Sequence, residues 1–409
     1  MTGLNRRLFC GAALSAAALP AHAEPEHDIT ATQDFDELWD TLNQRYCFFG
    51  EKTTDWQAVR RFYRPVAAKA ATMAEYTEVL RQVLCELYDP HTRLSEPPEG
   101  SPRFPPFDLW TEWRGGKAVI LDVQPNSGAM DAGLLPGFEI VAVDGRPIAE
   151  AAKALRPRCL SSPDPAADLW ALRSAAAGHR GQDRTLEMIE PGGRRRKVLI
   201  GKPTTPGPDK PVTWRRLEAG FGYIRISTFG DSAAVVQFDQ ALVDVKDAPG
   251  LILDLRSNGG GDTAVAKPIM ARFITEPKVY ATMRRREGVR LAQPWSERVE
   301  PRGPFTWTRP VVVLIDHWSA SMAEGFPMGM RAICGARLVG TPMQGLGAAV
   351  FPLRLDRTGL QAQYSAEPVY TPSGEPRWKL QPDVLVRSTR ADGSDVLDAG
   401  VRELQRLLR

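Results

Sequence analysis

At 409 residues the chain is too long for one ordinary core, and its 43% hydrophobic and 25% charged residues are the composition of a globular protein of two or three domains. The formal net charge of +3 is small for this length. Its densest basic run, Arg194-Arg195-Arg196-Lys197, reads as a hairpin end, so no nucleic-acid partner is expected.

The first residues differ from everything after them. Arg6-Arg7 precede a small-residue apolar stretch, Leu8 to Leu19, that ends Pro20-Ala21-His22-Ala23. This predicts an export signal over residues 1–23, cut after Ala23, and a periplasmic or secreted mature chain. The paired arginines fit a twin-arginine motif, but ordinary signals also carry positive starts, so the route stays open. No later segment approaches the roughly 18 to 20 apolar residues of a spanning helix, and no stable membrane insertion is expected. With Cys10 removed, Cys47, Cys85, Cys159 and Cys334 remain; disulfides and buried thiols both fit, and the spacing is not that of a metal site.

Residues 24–98 carry helical spacing. Phe35, Leu38, Trp39 and Leu42 recur at three- and four-residue steps, as do Tyr76, Val79, Leu80, Val83, Leu84 and Leu87. A helical bundle is expected, ending at Tyr88-Asp89-Pro90-His91-Thr92, where the proline breaks the helix and leaves His91 on a loop. Asp89 caps that turn.

Over residues 99–203 the signal changes to short strands and turns, including Ala118 to Val123 and Gly137 to Val143 before Asp144-Gly145. Ala132-Gly133-Leu134-Leu135-Pro136-Gly137, with the following strand and Val143-Asp144-Gly145-Arg146, resembles the PDZ domains of bacterial proteases. The resemblance implies a module that adds a peptide strand to its edge. Gly201-Lys202-Pro203-Thr204-Thr205-Pro206-Gly207-Pro208 predicts a hinge.

Residues 204–409 alternate strands and helices. Tyr223 to Ile226, Leu251 to Leu255 and Val311 to Ile315 read as strands, and Val235, Phe238, Leu242 and Val245 as one helix face, which together predict an α/β core. Such cores place chemistry where strands run into helices. One junction is Arg256-Ser257-Asn258-Gly259-Gly260-Gly261, whose glycines present bare N–H groups for an oxyanion. It lacks the Lys-Ser/Thr ending of a phosphate loop. The other is Asp316-His317-Trp318-Ser319-Ala320-Ser321-Met322-Ala323-Glu324. Its Ser-x-x-Glu is also a helix capping box that needs no chemistry. Neither His-Glu-x-x-His, Cys-x-x-Cys nor Gly-x-Ser-x-Gly occurs, so metallopeptidase and α/β-hydrolase readings lack their residues and no cofactor is expected.

Taken in order, Asp89-Pro90-His91, Asn258-Gly259-Gly260-Gly261, Ser319-Ala320-Ser321 and Gln381-Pro382-Asp383-Val384 resemble the C-terminal processing, or tail-specific, serine peptidase family throughout the mature chain. The resemblance implies a crotonase/Clp-peptidase-like α/β core that acts on protein or peptide substrates. Ser321 would be the nucleophile, with oxyanion N–H groups from Gly259 or Gly260 and from Met322. One departure is plain: the position of the processing peptidases' lysine base holds Leu346. The tricorn-like branch takes a histidine from the helical segment instead, which maps to His91, oriented through a glutamate that falls at Pro376 or, after a one-residue slip, Glu375. His317 is a local rival for the base. Leu346 also leaves open a peptide-binding pseudoenzyme of the same fold.

Overall fold

A computed structural model describes residues 31–202, 210–387 and 393–409. The expected export signal and most of the expected hinge, residues 203–208, lie outside these. Three helices lead: α1 (Ala31–Arg45), α2 (Trp56–Ala67) and α3 (Met73–Cys85). Asp55 and Thr72 open the second and third by accepting the N–H groups of Ala58 at 2.8 Å and Glu75 at 3.2 Å, which otherwise lack partners in the first turn. The periodic residues Phe35, Leu38, Leu42, Tyr76 and Leu80 are buried as their spacing predicts. They do not close a core of their own. Ala348, Leu355, Ala362, Tyr364 and Ala366, from the far end of the chain, complete it. The short strand β1 (Arg93–Leu94) after the helices pairs into the same distant segment.

The second region is one antiparallel sheet: β2 (Leu109–Arg114), β3 (Lys117–Val123), β4 (Glu139–Val143), β5 (Arg146–Pro147), β6 (Arg184–Ile189) and β7 (Arg195–Ile200). The helices α4 (Gly128–Asp131), α5 (Ile148–Leu155) and α6 (Pro165–Ala177) belong to it, and apolar residues of sheet and helices share one core. The basic run lies where expected, at the start of β7 in the β6–β7 hairpin.

The third region holds the strand-to-helix junctions. Its strands β8 (Val212–Arg216), β9 (Gly222–Ile226) and β10 (Leu251–Asp254) are joined by α7 (Ala233–Asp244) and followed by α8 (Thr263–Met270). A side sheet is built by β11 (Lys278–Met283) and β14 (Trp295–Val299), with β12 (Arg286–Glu287) and β13 (Arg290–Leu291) as a small hairpin between them. Then come β15 (Val311–Ile315), α9 (Met322–Cys334), β16 (Arg337–Gly340), the hairpin β17 (Ala348–Arg354) and β18 (Gln361–Tyr370), β19 (Val384–Leu385) and α10 (Ser394–Leu407). The main sheet runs β19-β16-β15-β10-β9-β8, parallel except for β8 at its edge. Every residue of β10 and β15 is buried, the mark of a parallel strand covered on both faces. Cys47, Cys85, Cys159 and Cys334 are free thiols, which settles the alternative the sequence left open.

Candidate active site

Strands β10 and β15 are neighbours in register, so the turns that leave them lie side by side. Asp316 laces them together. Its buried carboxylate accepts the N–H of Ser257 in one turn and of Trp318 in the other, each at 3.0 Å. Ala320 N–H adds a 3.0 Å bond to the Asn258 carbonyl. Burial raises the Asp316 pKa, against the opposing pull of these donors.

Ser321 follows at the N-terminus of α9 with φ 55° and ψ −114°, a left-handed backbone that costs a side chain about 1–3 kcal/mol. The capping box forms, with Glu324 accepting the Ser321 N–H at 2.8 Å, but an ordinary cap sits in the extended region and needs no such strain. Tyr88, at the start of the Asp-Pro-His loop, and Ser257 also have positive φ, so three of the five non-glycine residues with this backbone among the described residues stand in the three segments the sequence singled out.

The glycine turn presses against the serine. A Cβ on Gly260 would stand 2.6 Å from the Ala320 oxygen, 2.8 Å from Ser321 Cβ and 2.9 Å from Met322 N. Neither N–H expected to serve an oxyanion faces that way. Gly260 N–H is held by Asn258 Oδ1 at 2.8 Å. The Asn258 carbonyl is directed at Ala320, so across a trans peptide the Gly259 N–H points away from the serine turn. The Gly260 carbonyl accepts from Phe229 on the β9 side at 2.8 Å, so the Gly261 N–H points back towards the β15 side, where Ser321 lies. Gly261 and Met322 both line the cavity that holds Ser321. The Gly259 and Gly260 N–H groups expected as donors are thus turned away from Ser321, whereas Gly261 N–H and Met322 N–H, the latter an amide of the first helical turn, have no hydrogen-bond partner among the described residues.

His91 is buried on a turn that Asp89 ties down, its carboxylate accepting the His91 N–H at 3.0 Å and the hydroxyls of Thr92 and Ser365 at 2.7 Å. Its ring lies beside the Ala348 carbonyl, and Ala348 also lines the cavity of Ser321. Burial lowers the imidazole pKa to about 4, with Arg377 and Arg93 acting in the same direction and Asp89 against it. Nδ1 has no hydrogen-bond partner, and among the described residues no hydrogen bond joins His91 to Ser321.

The other two candidates lie elsewhere. His317 Nδ1 is 3.1 Å from Asp122 Oδ2, and its ring stacks on Trp110 at 4.2 Å, so it joins the core to the β2–β7 sheet. Glu375 is exposed on the turn after β18, where its N–H is bound by Thr371 Oγ1 at 2.9 Å. It neither lines the cavity nor touches His91, which corrects its expected role as the orienting acid. The local backbone explains this: residues 371–376 form a tight hairpin turn that directs the side chain outward.

Two residues the sequence did not single out for chemistry stand at the centre. Glu324, fully buried, accepts the N–H groups of Gly345 at 2.8 Å and Leu346 at 3.0 Å besides that of Ser321, and burial raises its pKa to about 7. Arg377 is also buried. Its Nε donates to the Leu346 carbonyl at 3.0 Å and its Nη2 to the Ala348 carbonyl at 3.2 Å. The capping motif was a visible sign of Glu324; nothing in the sequence around Arg377 sets it apart.

The peptidase family S41 model matches residues 220–386, which contain both turns, and the Tricorn protease C1 domain model matches residues 30–85. Residues 220–386 are thus similar to a peptidase family S41 domain. The carboxy-terminal-processing protease of Bartonella bacilliformis is 28% identical over 165 residues, 39% of this chain and 36% of that protein. The chloroplastic C-terminal processing peptidase of Tetradesmus obliquus is 29% identical over 268 residues, 60% of this chain and 54% of that protein. The chain thus matches about a third to a half of the length of these curated relatives. The Synechocystis sp. carboxyl-terminal-processing protease is 26% identical over 338 residues, 76% of this chain and 70% of that protein. Among solved structures, mature CPAF complexed with lactacystin superposes with a TM-score of 0.61 at 16% identity, covering 92% of this chain and 97% of that one. The photosystem II D1 C-terminal processing protease gives 0.55 at 21%, covering 91% and 98%. Both likenesses establish the S41 peptidase fold.

Proposed function

We propose that the chain is an exported serine peptidase that hydrolyses peptide bonds of unfolded or tail-presented proteins through an acyl-enzyme on Ser321. The single observation that carries this reading is the strained Ser321 at the head of α9, opening on a cavity with two unbonded backbone N–H groups beside it. In the proposed reaction Ser321 Oγ attacks the scissile carbonyl while the hydroxyl proton passes to His91. The Gly261 and Met322 N–H groups stabilise the tetrahedral oxyanion. His91 returns the proton to the leaving amine, and water then resolves the ester by the same steps in reverse order. An imidazole lowered to about 4 is neutral at pH 7 and so able to accept a proton. The buried Asp89 turn fixes the loop that carries it. The β2–β7 sheet is assigned the role of a PDZ-like module that presents an extended segment to the core.

The test is degradation of unfolded fluorescent casein, with a metal chelator present, by wild-type, Ser321→Ala and His91→Ala proteins of equal foldedness. Cleavage by wild type alone supports the reading. Cleavage that survives in Ser321→Ala, or labelling of that variant by a serine-directed phosphonate, overturns the nucleophile. Peptide binding by a wild type that never cleaves favours the pseudoenzyme, whose motive is Leu346 at the lysine position.

A further inference from the structure

The cavity beside Ser321 has a volume of 370 Å³ and apolar walls from Tyr280, Ala281, Met283, Met322, Val350 and Val369. Its remaining lining includes one cation, Arg377, buried to 5% exposure. A guanidinium has five N–H donors. Here Nε and Nη2 are committed to the Leu346 and Ala348 carbonyls, whereas Nη1 has no hydrogen-bond partner among the described residues. Nη1 would stand 3.4 Å from a Cβ on Gly325, and Gly325 itself lines the cavity. The missing side chain at 325 therefore leaves the guanidinium open to the cavity. Asp262 and Thr263 line it too and are exposed.

Resting on the peptidase reading above, we infer that Arg377 makes this cavity a specificity pocket for a substrate side chain with an apolar stem and an oxygen acceptor at its tip, as in glutamine or glutamate. The stem packs on Met283, Met322 and Val369, and the tip oxygen accepts from Nη1. A methionine of nearly the same length fills the same walls but leaves the desolvated donor unpaired, and a lysine sets its charge against the guanidinium. Discrimination of roughly ten- to a hundredfold is the ordinary worth of a hydrogen bond to a buried charged group.

The experiment measures binding and cleavage separately. Short N-acetylated peptides identical but for Gln, Glu, Met, Leu or Lys at one position are titrated into the full chain carrying Ser321→Ala, by fluorescence anisotropy, and offered to wild type. We expect Gln or Glu to bind roughly ten- to a hundredfold tighter than Met, and Lys to bind weakest. Arg377→Met in the same background removes the preference. Because that change also frees two backbone carbonyls, Gly325→Ala is the second variant. It keeps the guanidinium and its carbonyl bonds, puts a methyl between Nη1 and the cavity, and reduces the same ratio. Equal binding of Gln and Met to Ser321→Ala, or a ratio untouched by Gly325→Ala, overturns the assignment. Cleavage by wild type without preference sinks this inference and leaves the peptidase reading standing; the binding preference without any cleavage does the reverse.

Discussion

The carboxylate of Glu324 accepts the backbone N–H of Leu346 at 3.0 Å, and the same carboxylate holds the N–H of Ser321 at 2.8 Å. Leu346, which the resemblance sets at the processing peptidases' lysine position, is thus fastened, through one buried acid, to the serine turn. Removing that acid strands three N–H groups at once, those of Ser321, Gly345 and the buried Leu346. Glu324→Ala is expected to cost about 3 kcal/mol or more, each orphaned donor being worth about 1–3 kcal/mol, and to abolish phosphonate labelling. Chemical denaturation and labelling of the same preparation check both.

The pH profile follows from two groups shifted in opposite directions. A histidine whose pKa falls from 6.5 to about 4 on burial is neutral through the mildly acid range, so kcat/KM should hold from pH 7 to pH 5 and fall only near 4. Its folded pKa is depressed, so the folded state excludes a proton the unfolded chain binds, and stability drops as pH falls from 6.5 towards 4. Glu324 has the opposite sign. Its pKa is raised from 4.5 to about 7, and its contribution to stability declines as pH rises between those values. Turnover that is lost in His317→Ala but retained in His91→Ala would make His317 the base instead.

Gly260 and Gly261 tolerate no side chain. A Cβ at 260 meets the Ala320 oxygen at 2.6 Å, one at 261 meets the Phe229 carbonyl carbon at 2.1 Å, and both backbones have positive φ. Gly260→Ala should cost about 2 kcal/mol or more, and because its Cβ would push aside Met322 N, 2.9 Å away, it should lower kcat/KM by roughly the hundredfold that one displaced oxyanion donor is worth. Gly259→Ala, with open space around its Cβ, is expected to be far milder, and a comparison of the two by thermal melting and peptide turnover separates them.

His317 links the turn after β15 to the β2–β7 sheet through a 3.1 Å contact with Asp122 and a 4.2 Å stack on Trp110. A double-mutant cycle of His317→Ala and Asp122→Ala should give a coupling energy of about 1 kcal/mol. Hydrogen exchange of β2 and β3 should rise in both single variants, because the sheet is loosened from the core. Unchanged exchange would place the docking energy elsewhere, for example in the 3.0 Å bond from Trp318 Nε1 to the Phe107 carbonyl at the same seam.

By itself the sequence determined the elements and their order. Phe35, Leu38 and Leu42 on one helix, the all-apolar strand Val311 to Ile315 and the Ser-x-x-Glu start of α9 are local patterns, and local periodicity and capping follow from a few neighbouring residues. The glycine-rich and Ser-Ala-Ser segments likewise lie within residues 220–386, which match the peptidase family S41 model. Only the tertiary structure decided what faces what. Which N–H turns towards Ser321 depends on how Asn258 and Gly260 bond across two neighbouring strands, which turns those of Gly259 and Gly260 away. Glu375 turned out to solvent and Arg377, two residues later, into the core, because a hairpin turn reverses direction within that span. Glu324 gathered donors from residues 21 and 22 positions away. Such meetings are set by strand register and by the burial of groups distant in sequence, which no short stretch of residues encodes.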